Sequence, residues 1–109
     1  MAKYLIQGSY TAETWARLMK APEDRAQTIG PILESVGAQL ESLYFAFGDD
    51  DIFAIIDAPD NVTAAALAVA VTSSGAFKSF RTTVLLSSNE AMEVMRKAST
   101  VSYRPPGTS

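Results

Sequence analysis

The sequence Tyr44-Phe-Ala-Phe-Gly-Asp-Asp-Asp-Ile-Phe-Ala-Ile-Ile-Asp57 belongs to two apolar runs joined by an acidic turn. The runs Leu40–Phe47 and Ile52–Ile56 are rich in aromatic and β-branched residues and too short for stable helices, so both favour strands. Between them, Gly48 to Asp51 are residues that tolerate positive φ or hydrogen-bond their own backbone. The stretch therefore predicts a β-hairpin in the middle of the chain.

Upstream of the hairpin, the pattern predicts one strand and two helices. Lys3–Tyr10 alternates with the period of a strand, and Thr11 is a suitable cap for a helix over Ala12–Lys20. A second apolar stripe at helical spacing predicts a helix over Glu23–Val36. Pro31 lies inside that stripe, and because it removes a backbone N–H we expect it to kink or split the helix.

Downstream, the pattern predicts a helix, a strand and a last helix. Val62–Ser74 is rich in alanine, the strongest helix former. Phe77–Leu86 returns to a period of two and predicts a strand. Ser87 followed three residues later by Glu90 is a capping-box signature for a helix that ends near Ala98. Residues 1–100 are therefore predicted to form one domain, and the proline-containing residues 101–109 a C-terminal arm.

The element order β-α-β-β-α-β with a C-terminal helix predicts an α+β fold of the ferredoxin-like type. Right-handed crossovers place strands one and three in the centre of a four-stranded antiparallel sheet, with both main helices on one face. Strict alternation assigns to the helix side the residues Tyr4, Ile6, Leu40, Tyr44, Ile52, Ala54, Ile56, Phe80 and Val84. It assigns to the other side the residues Leu5, Leu43, Phe45, Phe47, Phe53, Ile55 and Leu85. So many apolar side chains on an uncovered sheet face predict a homo-oligomer, at least a dimer.

Composition excludes several classes of function. The chain has 109 residues, 48% of them hydrophobic, a net charge of −3, and no cysteine or histidine. Without these two residues, disulfides, thiolate nucleophiles and the usual haem and transition-metal ligands are absent, so no cofactor is predicted.

The basic residues are scattered and the net charge is negative, which argues against a nucleic-acid partner. The apolar runs are too short for a signal peptide or a membrane span, which predicts a soluble, cytoplasmic protein.

Three segments, in the same order along the chain, resemble sequences of the GYD-domain family of small bacterial proteins. They are Lys3–Thr11, Leu40–Asp49 and Asp51–Asp60, and the resemblance extends from Lys3 to Leu86. It implies a dimeric α/β-barrel but no established activity. The tripeptide that names the family would fall on the hairpin turn, where Asp50 stands in place of the expected tyrosine. No role of that tyrosine is therefore transferred to this chain. Related barrel families include cofactor-free monooxygenases, small lyases and isomerases, and ligand-sensing modules, so the fold does not decide the activity.

The acidic residues of the chain have two candidate uses. Clustered carboxylates such as Asp49–Asp51 are typical ligands of hard cations. Adjacent residues of a tight turn point in different directions, however, so a solvated turn is the favoured interpretation. No metal site is predicted. Asp57 and Arg81 project toward the second sheet face. There Asp57 would serve as a base of raised pKa and Arg81 would stabilise an anionic group. The favoured interpretation is structural: an ion pair, or an exposed acid at the strand end that caps the turn before Asn61.

Aromatic residues mark a candidate ligand pocket between sheet and helices: Tyr10, Trp15, Tyr44, Phe47 and Phe53. The alternative is that they are ordinary core residues. Basic and aromatic residues over 77–81 distantly resemble an RNA-binding sheet, which the acidic composition disfavours.

Three hypotheses follow for function. The first is a homo-oligomeric binding or accessory module for a small, largely apolar ligand. The second is a cofactor-independent monooxygenase or isomerase that uses Asp57 or a tyrosine for proton transfer and Arg81 for charge stabilisation. The third is a purely structural role, in which the alanine-rich helix and the arm are assembly contacts. The sequence does not choose between enzyme and binding module.

Overall fold

Four strands and four helices follow one another along the chain in the computed structural model, which describes residues 1–108. The strands are β1 (Ala2–Tyr10), β2 (Gln39–Phe45), β3 (Ile52–Ala58) and β4 (Phe77–Leu85). The helices are α1 (Ala12–Lys20), α2 (Arg25–Glu34), α3 (Asn61–Ser73) and α4 (Ser88–Ala98). This order confirms the predicted α+β, ferredoxin-like fold.

The sheet has the order β2-β3-β1-β4, with all neighbouring strands antiparallel. The first and third strands are therefore central, as the crossover rule predicted. A core of Tyr4, Leu33, Ala38, Ile56, Ala58 and Ala64 joins one sheet face to α2 and α3. The Tyr4 hydroxyl donates to Asn61 Oδ1 at 2.6 Å, which ties the central strand to the start of α3.

Each helix begins at a side-chain cap that the sequence provides. Thr11 Oγ1 accepts from the Thr14 N–H at 3.3 Å, and Asp60 Oδ1 accepts from the Thr63 N–H at 2.8 Å. Ser87 and Glu90 form the complete capping box that was predicted for α4. These caps satisfy N–H groups that have no partner inside the helix.

Helix α2 continues through Pro31 to Glu34, so the predicted split does not occur. Pro31 lies in the last turn, where the helix has little length left to disrupt. The helix is also shorter than predicted, because Asp24 caps it at its start and Gly37 adopts a positive φ of 78° soon after its end.

A β-bulge in β2 changes which sheet face the residues after it lie on, so part of the predicted alternation is wrong. Leu40 pairs with Ile56, but Ser42 pairs with the next residue, Ile55, so Glu41 is an extra residue. From this point the strand is out of phase with the prediction. The assignment of Leu43 and Phe45 to the open side is therefore wrong, and so is that of Tyr44 to the helix side.

Candidate functional site

A cavity of about 600 Å³ lies between the sheet and helices α1 to α3. We call it the sheet–helix cavity. Its floor is formed by side chains of the strands: Ile6, Leu40, Leu43, Ile52, Ala54, Ile56 and Phe80. Its roof is formed by side chains of the helices: Leu18, Ile29, Ile32, Leu33, Leu67, Ala68 and Val71. The interior is therefore apolar on both sides.

Small residues explain why this space is not filled by the protein itself. Ala68 and Ala70 of α3 and Ala54 of β3 line the cavity with single methyl groups. The space is partly open to solvent, since Ile32 of its roof is 52% exposed, but its apolar walls suit an apolar group. The alanine-rich composition of α3 thus has a structural consequence: it leaves room above the central strands.

The cavity lining includes one tyrosine and three charged side chains, which together we call the polar mouth: Tyr10, Arg17, Glu23 and Arg25. Arg25 Nη1 lies 3.1 Å from Glu23 Oε2, and the Thr28 hydroxyl donates to the same oxygen at 2.6 Å. Arg17 Nη2 donates to Thr14 Oγ1 at 3.3 Å. Two guanidinium groups and one carboxylate give the polar mouth a net positive charge.

Two groups of the polar mouth, Tyr10 and Glu23, have shifted pKa values. Burial raises the pKa of the Tyr10 hydroxyl above its ordinary value, and Arg25 partly offsets that shift by favouring the phenolate. The Thr28 hydroxyl, and then Arg25, lower the pKa of Glu23 because both bind its ionised carboxylate. Tyr10 is therefore a neutral hydroxyl and Glu23 a carboxylate near neutral pH.

The Tyr10 ring packs against other aromatic rings of the site, those of Trp15 and Phe77. The Tyr10 ring lies edge-on to Trp15 at 5.2 Å and tilted against Phe77 at 4.6 Å. Phe77 comes so close to β1 that a Cβ on Gly8 would lie 2.7 Å from its ring. Glycine at position 8 therefore permits this aromatic packing.

Of the five aromatic residues proposed as pocket residues, Tyr10 lines the sheet–helix cavity and Trp15 packs against Tyr10. Tyr44 and Phe53 are cross-strand neighbours on the opposite sheet face, and Phe47 is fully exposed beside the hairpin turn. Phe80, considered for RNA stacking, contributes to the cavity floor instead.

Asp57 and Arg81 both lie on the face opposite the helices, as predicted, but they are not brought together. Asp57 Oδ1 accepts from Lys3 Nζ at 3.0 Å, whereas Arg81 pairs with Asp50. Their partners on β1 are Lys3 and Gln7, four residues apart, which corresponds to about 13 Å along the strand. Each residue is thus engaged in a separate ion pair, and the two do not pair with each other.

The hairpin turn is anchored to β1, so the prediction of a solvated turn holds for Gly48 and Asp49, which are exposed, and is wrong for Asp50. Asp50 is buried, and its carboxylate accepts from Gln7 and binds Arg81. Asp51 Oδ2 accepts from the Tyr10 N–H at 2.9 Å and from Trp15 Nε1 at 3.3 Å. Within residues 1–108, no group of three acidic side chains converges as a set of metal ligands.

Sequence reasoning missed the charged residues of the polar mouth. Arg17 had a detectable signal: Thr14, Arg17, Leu18 and Ala21 have the i, i+3, i+4, i+7 spacing of one helix face, and all four line the cavity. Arg25 had no such signal, because its place in the cavity lining depends on the tertiary fold.

The remaining observations concern the whole chain. No helix in the described part of the chain is long and apolar enough to cross a membrane.

No curated protein and no solved structure gives a significant match. The family model described as "GYD domain" matches residues 4–95, from the first strand into the last helix. Because this match covers most of the sequence and all four strands, the chain belongs to the GYD domain family.

Proposed function

We propose that this protein is a homo-oligomeric binding or accessory module whose sheet–helix cavity holds a small, largely apolar ligand. The observation that carries the proposal is the cavity itself. Its volume of about 600 Å³ lies within the usual range of small-molecule sites. Its apolar floor and roof favour a hydrocarbon or aryl group, and the charged groups of its lining are those of the polar mouth.

Binding is favoured over catalysis by the placement of the candidate catalytic residues. A cofactor-independent monooxygenase or isomerase of the predicted kind needs Asp57 in a cavity, within reach of Arg81 or of an aromatic hydroxyl. Asp57 is held by Lys3 on the sheet face away from the sheet–helix cavity. Arg81 is held by Asp50 on that same face. A binding role requires only the shape and polarity that the cavity already has.

The homo-oligomer is supported by the sheet face opposite the helices, which we call the free sheet face. Its apolar members are Leu5, Tyr44, Phe53, Ile55 and Leu85. Tyr44 is 71% exposed, and the other four are half-buried. A second copy of the same face would shield these side chains from water around a two-fold axis.

The binding proposal is tested by a ligand titration with a cavity-filling variant. Decanol, an apolar probe with a small uncharged head, should raise the melting temperature of the wild-type protein by several degrees, because it binds the folded state selectively. Ala68→Leu places a larger side chain into the cavity and should abolish most of that shift.

Ala66→Leu is the matched control, because Ala66 is exposed on the same helix and does not line the cavity. It should retain the decanol response of the wild type. A wild-type protein whose melting temperature is unmoved by decanol would contradict the proposed function. So would an equal response in the Ala68 and Ala66 variants.

A further inference from the structure

We infer that the ligand of the sheet–helix cavity is an amphiphile with an anionic head, foremost a carboxylate, and that Arg17 is the residue that selects the charge. The inference rests on the proposed function and adds the chemical class of the ligand to it. Three observations support it: the pairing of the charged groups at the polar mouth, the position of Arg17, and the apolar interior behind it.

The charged groups of the polar mouth differ in how they are paired. Arg25 is matched by Glu23, whose carboxylate also accepts from the Thr28 hydroxyl. Arg17 has no carboxylate within 4.0 Å among the residues that the structure describes, and its recorded partner is the neutral hydroxyl of Thr14. One positive charge at the mouth is therefore uncompensated by protein.

The position of Arg17 makes this charge available to a bound molecule. Arg17 lies between Thr14 and Leu18 on the face of α1 that lines the cavity, and its side chain is itself part of the lining. Guanidinium groups form two parallel hydrogen bonds with carboxylates, which fixes both the position and the orientation of the head. A ligand whose chain fills the apolar interior would thus present its head to Arg17.

The neighbouring groups favour an anion over a cation or a zwitterion. Tyr10 supplies a neutral hydroxyl, and Arg25 supplies a second guanidinium. The carboxylate of Asp51 also lies near Tyr10, but it accepts from the Tyr10 N–H and from Trp15 Nε1. Glu23, the one acidic residue of the cavity lining, is already engaged by Arg25 and Thr28. An ammonium head would meet two arginines and no free carboxylate.

The test compares decanoate with decanol, which share a hydrocarbon chain and differ in the charge of the head. Isothermal titration should give a dissociation constant for decanoate about fivefold lower than for decanol, the scale of a partly exposed ion pair. Arg17→Gln should raise the dissociation constant of decanoate to that of decanol measured in the same variant. Retained decanol binding also shows that the variant is folded.

Arg96→Gln is the control, because it removes the same charge from α4, outside the cavity lining. It should keep the preference for decanoate. If decanol binds and decanoate binds no better, or if Arg17→Gln keeps the preference, the anionic-head inference is overturned and the proposed function stands. If neither compound binds, both are overturned.

Discussion

At the scale of single residues, Asp50 shows how a turn residue becomes part of the interior. It occupies the position where the family resemblance predicts tyrosine, and it is 8% exposed. Its carboxylate accepts from Gln7 Nε2 at 3.4 Å and binds the Arg81 guanidinium. These partners lie on β1 and β4, so one side chain holds the hairpin turn against two other strands.

We predict that Asp50→Ala lowers the free energy of unfolding by about 1–3 kcal/mol, since it removes a buried acceptor and leaves Arg81 and Gln7 without their partner. Asp49→Ala is the control in the same turn, because the contact made by Asp49 uses its backbone oxygen. Its effect should be within about 0.5 kcal/mol. Urea denaturation measures both, and equal effects would contradict the anchoring role of Asp50.

Tyr10 gives a prediction for alkaline pH. Burial raises its pKa in the folded protein above the ordinary value of 10.0. Unfolded Tyr10 therefore loses its proton at a lower pH than folded Tyr10. Its contribution to stability is fully present below the unfolded pKa and is lost as the pH rises through the folded pKa.

Tyr10→Phe keeps the ring but cannot titrate, so between roughly pH 9 and roughly pH 11 it should lose less unfolding free energy than the wild type. Tyr103→Phe, in the exposed C-terminal arm, should follow the wild-type curve. Denaturant titrations across this pH range make the comparison. Parallel curves for the wild type and the Tyr10 variant would refute the prediction.

At the scale of elements, the sequence predicts what depends on local signals. The caps at Thr11 and Ser87 and the alternation of β1 and β3 are set by residues near one another in the chain, and they agree with the structure. The bulge at Glu41 could not be predicted, because Leu43, Tyr44 and Phe45 are all apolar and suit either phase of the strand. The sequence predicts a pocket between sheet and helices but not most of its lining, which combines residues of four strands and three helices.

The bulge leads to a prediction for deletions in β2. Deleting Glu41 removes the extra residue and preserves the pairs Leu40–Ile56 and Leu43–Ala54, so the protein should fold with nearly wild-type stability. Deleting Tyr44 instead closes the bulge by placing Ser42 opposite Ala54. Leu43 then leaves the cavity wall, at an expected cost of about 2–4 kcal/mol.

Urea denaturation of the two deletion variants measures that difference. If deleting Glu41 is as damaging as deleting Tyr44, the extra residue has a structural role that the register does not reveal.

At the scale of the whole molecule, the chain is more extended than a compact domain of the same length. The radius of gyration is 17.6 Å, against roughly 13 Å for a compact domain of similar length. Within α4, all of which is described, no side chain is buried, and Met92, Val94 and Met95 are exposed. Together with the free sheet face, this helix gives the molecule more apolar surface than a lone subunit usually presents.

We predict that the protein has at least twice the mass of its 11.7 kDa chain by size-exclusion chromatography with light scattering. Ile55→Glu, which places a charge beside Leu5 at the centre of the free sheet face, should shift the particle toward the monomer. Val62→Glu is the control, because Val62 is 78% exposed on α3. A wild-type monomer at micromolar concentration would rule out the homo-oligomer.

The most direct test of the binding account is methyl NMR of the protein with and without decanol. The account predicts that decanol shifts the methyl signals of Ile29, Leu43 and Leu67, which line the sheet–helix cavity. The signals of Leu5, Ile55 and Leu85, on the free sheet face, should stay in place. Shifts confined to the free sheet face, or no shifts at saturating decanol, would contradict the claim that the cavity holds the ligand.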